Sequence, residues 1–176
     1  MSGNGFVVYG GLVGGVLAAY IYSSKKKIDF LQYFDLTVPS IALAQSFGRI
    51  GCFLAGCCYG RETNSGIGVV FENSLIAPNG INLVPTQLLS SVGDFFIAAV
   101  LLLYDRNTHK PGKIGAMYLV LYSIGRFIIE FYRNDYRGNV GKMSTSQFIS
   151  IFIFIIGVAM FLKIGNNRAS DKWDNA

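Results

Sequence analysis

GRIGCFLAGCCYGR, residues 48–61, ends the second long apolar run of the chain and decides how the rest of the sequence is interpreted. The stretch holds two arginines, four glycines and all three cysteines. A charged side chain within or at the end of a membrane helix is costly, and it usually faces a partner or a wet cavity. The stretch therefore predicts a polar site at one end of a membrane-embedded helix.

The composition indicates lipid as the solvent. Of the 176 residues, 52% are hydrophobic and 14% are charged, whereas a soluble domain carries about 25% charged residues. The net charge is +5, yet the Lys and Arg residues lie mostly between apolar runs rather than on a polar domain, as nucleic-acid binding requires. We therefore expect the membrane bilayer as a partner and no nucleic acid.

Five apolar stretches approach the roughly 20 residues that a helix needs to cross the hydrocarbon core. They are residues 6–22, 28–54, 85–104, 114–132 and 145–164. The sequence thus predicts an all-α membrane protein, a polytopic bundle of about five transmembrane helices forming one domain over residues 1–165. Residues 166–176 are expected to be a polar, frayed cytoplasmic tail, and the uncharged start of the chain gives no indication of a signal peptide.

The basic residues predict the orientation, because short loops rich in Lys and Arg tend to stay in the cytoplasm. Clusters follow the first, third and fifth stretches: Lys25, Lys26, Lys27; Arg106, Lys110, Lys113; Lys163, Arg168, Lys172. With five crossings all three fall on one side, so the N-terminus is outside and the C-terminus is inside. The main outer loop is then about residues 59–84, where GIGVVFEN predicts a short strand or hairpin, and a second outer loop covers about 133–144.

One helical face carries Arg126, Glu130 and Arg133, spaced i, i+4 and i+7. The topology places this face toward the outer leaflet, at the depth where Arg49 ends the second stretch. Guanidinium groups bind phosphate through paired hydrogen bonds. Convergent arginines at this depth predict a phospholipid headgroup site, and the alternative is that they extend to the interface or only hold helices together.

Other polar residues are expected to line the same outer cavity. Gln87 starts the third stretch, Tyr9 with Gly10 and Gly11 lies near the start of the first, and Arg61 is an outer-loop cation. Gln147 begins the fifth stretch. Each residue alone suits an interfacial or helix-packing role equally well, and Gly10 with Gly14 has the spacing of a helix-packing pair.

Several motifs together resemble the bacterial prolipoprotein diacylglyceryl transferases. GRIGCFLAGCCYGR is similar to the family segment GRxGNFxNxExxG, FVVYGGLVGG to FHGGLxG, and VPTQLL to HPSQLY. GRFIIEFYR matches the late family helix R-x-x-x-E-F-x-R, and MSTSQFISI resembles the closing S-x-G-Q-x-x-S motif. The order and spacing of these motifs hold across nearly all of the chain.

The resemblance implies a membrane transferase of lipoprotein maturation in the bacterial plasma membrane. Members move the diacylglyceryl group of phosphatidylglycerol to the lipobox cysteine thiol of a prolipoprotein, and glycerol phosphate leaves. By motif position Arg49, Gly60, Arg126, Glu130 and Arg133 are the expected site residues, and we expect neither a cofactor nor a metal. A transferase with another acceptor, or a phospholipid-binding protein without activity, are the alternatives.

Departures from the family pattern affect the candidate bases. Tyr9 replaces the family's His before Gly-Gly, and Val84 replaces the His of HPSQ. Tyr9 is the catalytic candidate at the first of these positions, and it could act in place of the His only if its pKa were strongly lowered. Cys52 replaces the Asn of GRxGNF and Cys57 replaces its acidic residue. The one histidine of the chain, His109, is predicted to be cytoplasmic. The resemblance therefore supports phosphate binding better than activation of a thiol by imidazole.

Three interpretations of Cys52, Cys57 and Cys58 remain open. The cysteines are small buried residues at helix contacts, or one is a nucleophile whose pKa is lowered by Arg49 or Arg61. In the third interpretation two of them form a disulfide or redox switch at the outer surface.

Overall fold

The five apolar stretches of the sequence form five α-helices, as predicted. These are α1 (Asn4–Lys26), α2 (Phe30–Leu54), α3 (Thr86–Asp105), α4 (Lys113–Glu130) and α5 (Thr145–Trp173). Two antiparallel pairs complete the fold: β1 (Val69–Val70) with β2 (Asn82–Leu83), and β3 (Asn139–Val140) with β4 (Met143–Ser144). The computed structural model describes the backbone of residues 4–106, 110–134, 139–140 and 143–173, and the side chains of residues 14–106, 110–134 and 143–165.

Local sequence explains where several helices begin and end. Asp29 caps α2 by accepting a hydrogen bond from the Leu31 amide at 2.9 Å. Gly56, at φ +66°, follows the end of α2 in the left-handed region that favours glycine. At the start of α5, Ser144 Oγ accepts from the Gln147 amide at 3.2 Å and Gln147 Oε1 accepts from the Ser144 amide at 3.1 Å. This is a capping box.

Two boundaries bear on the sequence predictions. The hairpin predicted for GIGVVFEN is confirmed, because β1 lies in that segment and pairs with β2. By contrast, α5 continues to Trp173, so the expectation of a frayed tail from residue 166 onward is wrong for residues 166–173.

Consecutive helices pack as neighbours, with α2 on α3, α3 on α4 and α4 on α5, while α1 contacts α2. A fully buried apolar cluster joins α2, α3 and α4, formed by Val38, Ala42, Ile97, Ala98, Leu101, Ile114 and Tyr118. Above it, α2 and α3 are joined by a reciprocal pair in which the hydroxyls of Ser46 and Ser91 each donate to the other's carbonyl at 2.9 Å. Small hydroxyl residues of this kind let membrane helices approach closely.

Asp35 connects α2 to the beginning of α4. Its two carboxylate oxygens accept hydrogen bonds from the amides of Gly112 and Gly115, each at 2.7 Å. The first amides of a helix have no partner within the helix, and their positive end favours a carboxylate. The buried Asp35 is therefore satisfied, and its role is to fix α4 against α2.

The outer surfaces of the helices are apolar. Large exposed side chains include Leu17 and Tyr20 on α1, Phe96 on α3 and Ile155 on α5, which suits a surface in contact with lipid. By length and hydropathy, two helical segments of the described residues qualify as membrane spans, Thr86–Asp105 and Thr145–Gly165. Crossing by all five helices remains a prediction.

Candidate functional site

Residues singled out in the sequence meet at one end of the helix bundle, where α2 and α4 end and α3 and α5 begin. The segments that leave these helices are joined to one another by backbone contacts. The Arg61 amide donates to the Tyr132 carbonyl at 2.8 Å, and Gly60 forms an antiparallel bridge with Arg133. The loop after α2 and the turn after α4 therefore form one connected surface at this end.

Arg126 lies at the centre of this end, in the last part of α4. Its Nη2 atom lies 3.0 Å from Glu130 Oε2 and donates to Ser146 Oγ at 2.9 Å. The side chains of Arg126 and Glu130 are 11% and 7% exposed. Arg126 Nη1 is buried, and it has no hydrogen-bond partner within the described part of the chain. One edge of this guanidinium is thus held by protein, and the other retains unused donors.

Arg49 and Arg133 add positive charge around Arg126. Both lie close enough for their charges to act on its guanidinium, as does the carboxylate of Glu130. Arg133 is itself buried, at 7% exposure. The structure thus brings together the arginines of α2 and α4 that sequence spacing placed at the same depth. Like charges are costly to bury together unless an anion or carboxylate compensates them.

Asp94 is the acidic residue that the sequence interpretation missed. It lies in the middle of α3, is 8% exposed, and is within electrostatic reach of Arg49 and Arg126. The signal was present in the sequence, since an ionisable residue inside an apolar helix is by default a candidate for a functional site. The guanidinium groups of Arg49, Arg126 and Arg133 are therefore accompanied by the carboxylates of Glu130 and Asp94. This set keeps a surplus of positive charge when both carboxylates are ionised.

The first turn of α3 positions the loop that carries the cysteines. Thr86 Oγ1 donates to the Cys58 carbonyl and Gln87 Nε2 donates to the Cys57 carbonyl, both at 2.8 Å. Gln87 is 1% exposed, and its Oε1 atom has no hydrogen-bond partner among the residues described. Gln87 is therefore a structural link to this loop that retains one free acceptor.

Gly60 takes part in the site through its backbone. A Cβ atom at this position would lie 2.5 Å from the Val84 carbonyl oxygen and 2.8 Å from that of Tyr132. The Gly60 amide also donates to the Val84 carbonyl at 3.1 Å. The glycine permits the close approach of three chain segments, whereas its expected contact with substrate stays a prediction.

The three cysteines form a cluster just past the end of α2. The sulfur atoms of Cys52, Cys57 and Cys58 lie within 4.8 Å of one another, and they are not joined in a disulfide. Burial, followed by the neighbouring Cys58 and Cys52 sulfurs, raises the pKa of the Cys57 thiol to about 12. A nucleophilic cysteine needs a lowered pKa, so the direction of this shift does not favour activation of Cys57 by arginine, and a nucleophilic role stays a prediction.

The remaining predicted residues lie partly outside this geometry. Tyr9, Gly10 and Gly11 fall within α1, but their side chains are outside the described residues. The Arg61 side chain is exposed, and its backbone rather than its guanidinium joins the two loops. Gln147 is used in the capping box of α5. Two surface hollows lie at the opposite end of the bundle, one beside Asp35 and one beside Lys163.

Comparison with known proteins shows which family the chain belongs to. The sequence model of the prolipoprotein diacylglyceryl transferase family matches residues 1–163. The chain belongs to this family. It is 55% identical over 159 residues to the phosphatidylglycerol–prolipoprotein diacylglyceryl transferase of Clostridium tetani, covering 90% of this chain and 64% of the relative. An enzyme of the same name from Clostridium perfringens, numbered 2, is 54% identical, covering 90% of this chain and 62% of the relative.

A third relative of that name, from Clostridioides difficile, is 39% identical, covering 89% of this chain and 60% of the relative. The chain thus spans a little less than two thirds of the length of these relatives. The family match covers all of the residues discussed above, from Tyr9 to Gln147. The arginine site therefore lies within the region of sequence that this chain shares with the diacylglyceryl transferase family.

Proposed function

We propose that the chain acts as a phosphatidylglycerol–prolipoprotein diacylglyceryl transferase. In this reaction the lipobox cysteine thiol loses its proton and its sulfur forms a bond to the glycerol carbon that carries the phosphate. The carbon–oxygen bond to phosphate breaks, and glycerol phosphate leaves with the electron pair. The thiol proton passes to the leaving phosphate or to water. The product is a thioether-linked diacylglyceryl group, and neither a redox partner nor an added energy source is required.

The observation that carries the proposal is the half-satisfied guanidinium of Arg126. Its Nη2 is fixed by Glu130 and Ser146, while its Nη1 is buried and donates to no described group. A buried donor without a partner is costly, and a phosphate oxygen is a strong acceptor for it. Arg49, from a different helix, supplies a second positive charge within electrostatic reach of the first.

The guanidinium groups of Arg49 and Arg126 together form what we call the arginine clamp, and the surrounding groups orient them. Glu130 and Ser146 hold Arg126 in one orientation, and we assign Arg133 to the edge of the site as a second source of positive potential. Asp94 offsets part of the repulsion between Arg49 and Arg126 before substrate binds. Donors that are already oriented stabilise the charge that develops on the leaving phosphate without further reorganisation.

The proposed topology agrees with this chemistry. We propose that all five helices cross the bacterial plasma membrane, with the N-terminus outside and the arginine site toward the outer leaflet. Phosphatidylglycerol then presents its headgroup at the depth of Arg49 and Arg126, and the prolipoprotein signal peptide reaches the site within the membrane. The three basic clusters lie at the other end, as the positive-inside rule requires.

Replacement of the clamp arginines tests the proposal. The assay measures transfer from phosphatidylglycerol vesicles to a synthetic lipobox peptide, catalysed by purified protein. We expect Arg49→Ala and Arg126→Lys each to lower kcat/KM by about 10²-fold or more, the size of effect seen when an oriented donor is removed. Arg126→Lys keeps the charge but removes the planar fork that binds two oxygens.

The matched control is Arg106→Ala, which removes an exposed arginine at the opposite end of α3. We expect this variant to retain the activity of the unmodified protein. Activity of Arg49→Ala and Arg126→Lys equal to that of Arg106→Ala would remove the clamp from the mechanism.

Phospholipid binding without transfer is the second candidate, and the altered bases favour it. Tyr9 and Val84 stand where the family resemblance places histidines, and the pKa of Cys57 is raised rather than lowered. In that case labelled phosphatidylglycerol binds with a dependence on Arg126, but no thioether product forms with the lipobox peptide. Binding together with product formation excludes this second candidate.

A further inference from the structure

The cysteine cluster is a second site with its own geometry, at the edge of the arginine site. Its three sulfurs lie within 4.8 Å of one another. At a metal–sulfur distance of about 2.3 Å, three sulfurs around one ion in a flat triangle lie about 4 Å apart. The observed separations are thus close to those of three sulfurs around a single ion.

We propose that Cys52, Cys57 and Cys58 bind one cuprous ion through three thiolates. This site rests on the structure of the loop after α2 and does not depend on the proposed transferase activity. It also departs from the expectation, given with the family resemblance, that the chain binds no metal.

Two residues with left-handed backbone conformation bring the three cysteines together. Gly56, at φ +66°, turns the chain at the end of α2, and Cys58, at φ +63°, turns it again. A positive φ is unfavourable for a residue with a side chain, and such strain often marks a functional position. The two turns bring adjacent cysteines back toward Cys52, and Cys57 Sγ lies 3.5 Å from the Cys52 carbonyl oxygen.

The first turn of α3 holds the turned loop in place. Thr86 and Gln87 donate to the carbonyls of Cys58 and Cys57 at 2.8 Å, and both side chains are 1% exposed. The sulfurs are thus presented by a backbone that is fixed from outside the loop. A site whose ligands are positioned before the ion arrives loses less freedom on binding.

The donor set selects the ion. Thiolates are soft ligands that favour monovalent copper or zinc over hard cations. Zinc in structural sites takes four ligands, whereas monovalent copper accepts three thiolates in a plane. Among the described residues, the group of Cys, His, Asp and Glu ligands at this place consists of the three cysteines. Three soft donors therefore fit Cu(I) better than Zn(II).

Binding is an exchange of protons for a cation. Three S–H bonds are lost, three Cu–S bonds form, three protons go to solvent, and copper stays in the +1 state throughout. The bound site carries net negative charge, and Arg49 precedes Cys52 by three residues, which places the two on one face of α2. A disulfide, in comparison, joins two of the thiols, leaves the third unused and needs an external oxidant.

The test uses the full chain purified in detergent without oxygen, with tetrakis(acetonitrile)copper(I) as the source of Cu(I). We expect one Cu(I) per chain to be retained against the chelator bathocuproine disulfonate. Cys52→Ser, Cys57→Ser and Cys58→Ser should each weaken binding by at least tenfold. Met160→Leu is the matched control, because it removes a sulfur from α5, and its copper binding should equal that of the unmodified chain.

X-ray absorption of the copper-loaded, unmodified chain keeps the test valid if a serine variant fails to fold. Three sulfur neighbours at about 2.3 Å support the proposal. Two sulfurs, oxygen or nitrogen neighbours, or serine variants that bind as Met160→Leu does, overturn it. Tight binding of Zn(II) with no retention of Cu(I) overturns the choice of ion, and a disulfide in protein isolated without oxygen overturns the thiolate site.

Discussion

Gly60 is the residue at which three segments of the outer end meet. Its Cα faces the Val84 carbonyl, the Thr86 methyl group and the Tyr132 carbonyl, all within 2.8 Å of where a Cβ would stand. Two of these three neighbours are backbone atoms that cannot rotate away. The residue thus sets the distance between the cysteine loop and the Arg133 segment.

Gly60→Ala therefore lowers the free energy of unfolding by about 1–3 kcal/mol, the usual cost of adding volume to a packed site. Thermal unfolding in detergent measures the change. The matched control is Gly66→Ala in the same outer loop, where a Cβ meets nothing within 4 Å. Equal stability of the two variants would contradict the close approach at Gly60.

Individual site residues differ in how far sequence could predict them. The i, i+4 spacing correctly placed Arg126 beside Glu130, because helical geometry alone brings such pairs together. Asp94 carried a readable signal, a carboxylate in the middle of an apolar helix, and was overlooked. The left-handed backbone of Cys58 could not be predicted, since it depends on hydrogen bonds from Thr86 and Gln87, which are distant in sequence.

At the scale of elements, α4 depends on a residue of another helix for its beginning. Gly112 occupies the N-cap position and has no side chain to accept a hydrogen bond. Asp35 of α2 supplies the acceptors from a distance of 77 residues along the chain. By contrast, α2 is capped locally by Asp29 at its own start. The two aspartates thus perform similar capping in different surroundings.

Replacing each of the two aspartates by asparagine distinguishes the exposed cap at Asp29 from the buried cap at Asp35. Asn is as good as Asp at an exposed cap, so Asp29→Asn should leave stability almost unchanged. At Asp35 both oxygens accept amides, and the NH₂ group of Asn would face a donor in a buried place. Asp35→Asn should therefore cost about 1–3 kcal/mol, measured by the same thermal unfolding. Equal effects at the two positions would show that Asp35 does not hold α4.

The positions of the helices were predictable from the sequence. The contacts by which one helix caps or packs against another were less predictable. The long apolar runs predicted the bounds of all five helices to within a few residues, apart from the extension of α5 to Trp173. The capping box of α5 was present in the sequence as Ser144 and Gln147, but Gln147 was assigned to the cavity instead. Which helix caps or contacts another depends on packing, and apolar periodicity does not report it.

For the whole molecule, the five-helix bundle predicts that the two ends lie on opposite sides of the membrane. Alkaline phosphatase joined after residue 64, in the outer loop, should be active, and the same enzyme joined after residue 106 should be inactive. A fluorescent protein at the C-terminus should fluoresce, since it folds in the cytoplasm. Phosphatase activity at residue 106 would reverse the orientation and place the arginine site on the inner side.

The apolar cluster in the middle of the bundle has a consequence for the energetics of the cell. Val38, Ala98, Leu101 and Ile114 are at most 1% exposed, and they separate the charged arginine end from the Asp35 end. An ion moving between these ends would meet this apolar cluster, where the hydroxyl of its member Tyr118 already donates to Gln45 Oε1 at 2.7 Å, and burying an unpaired charge there is costly. In the proposed orientation, a charged headgroup bound at the arginine end would therefore leave the proton gradient across the membrane intact.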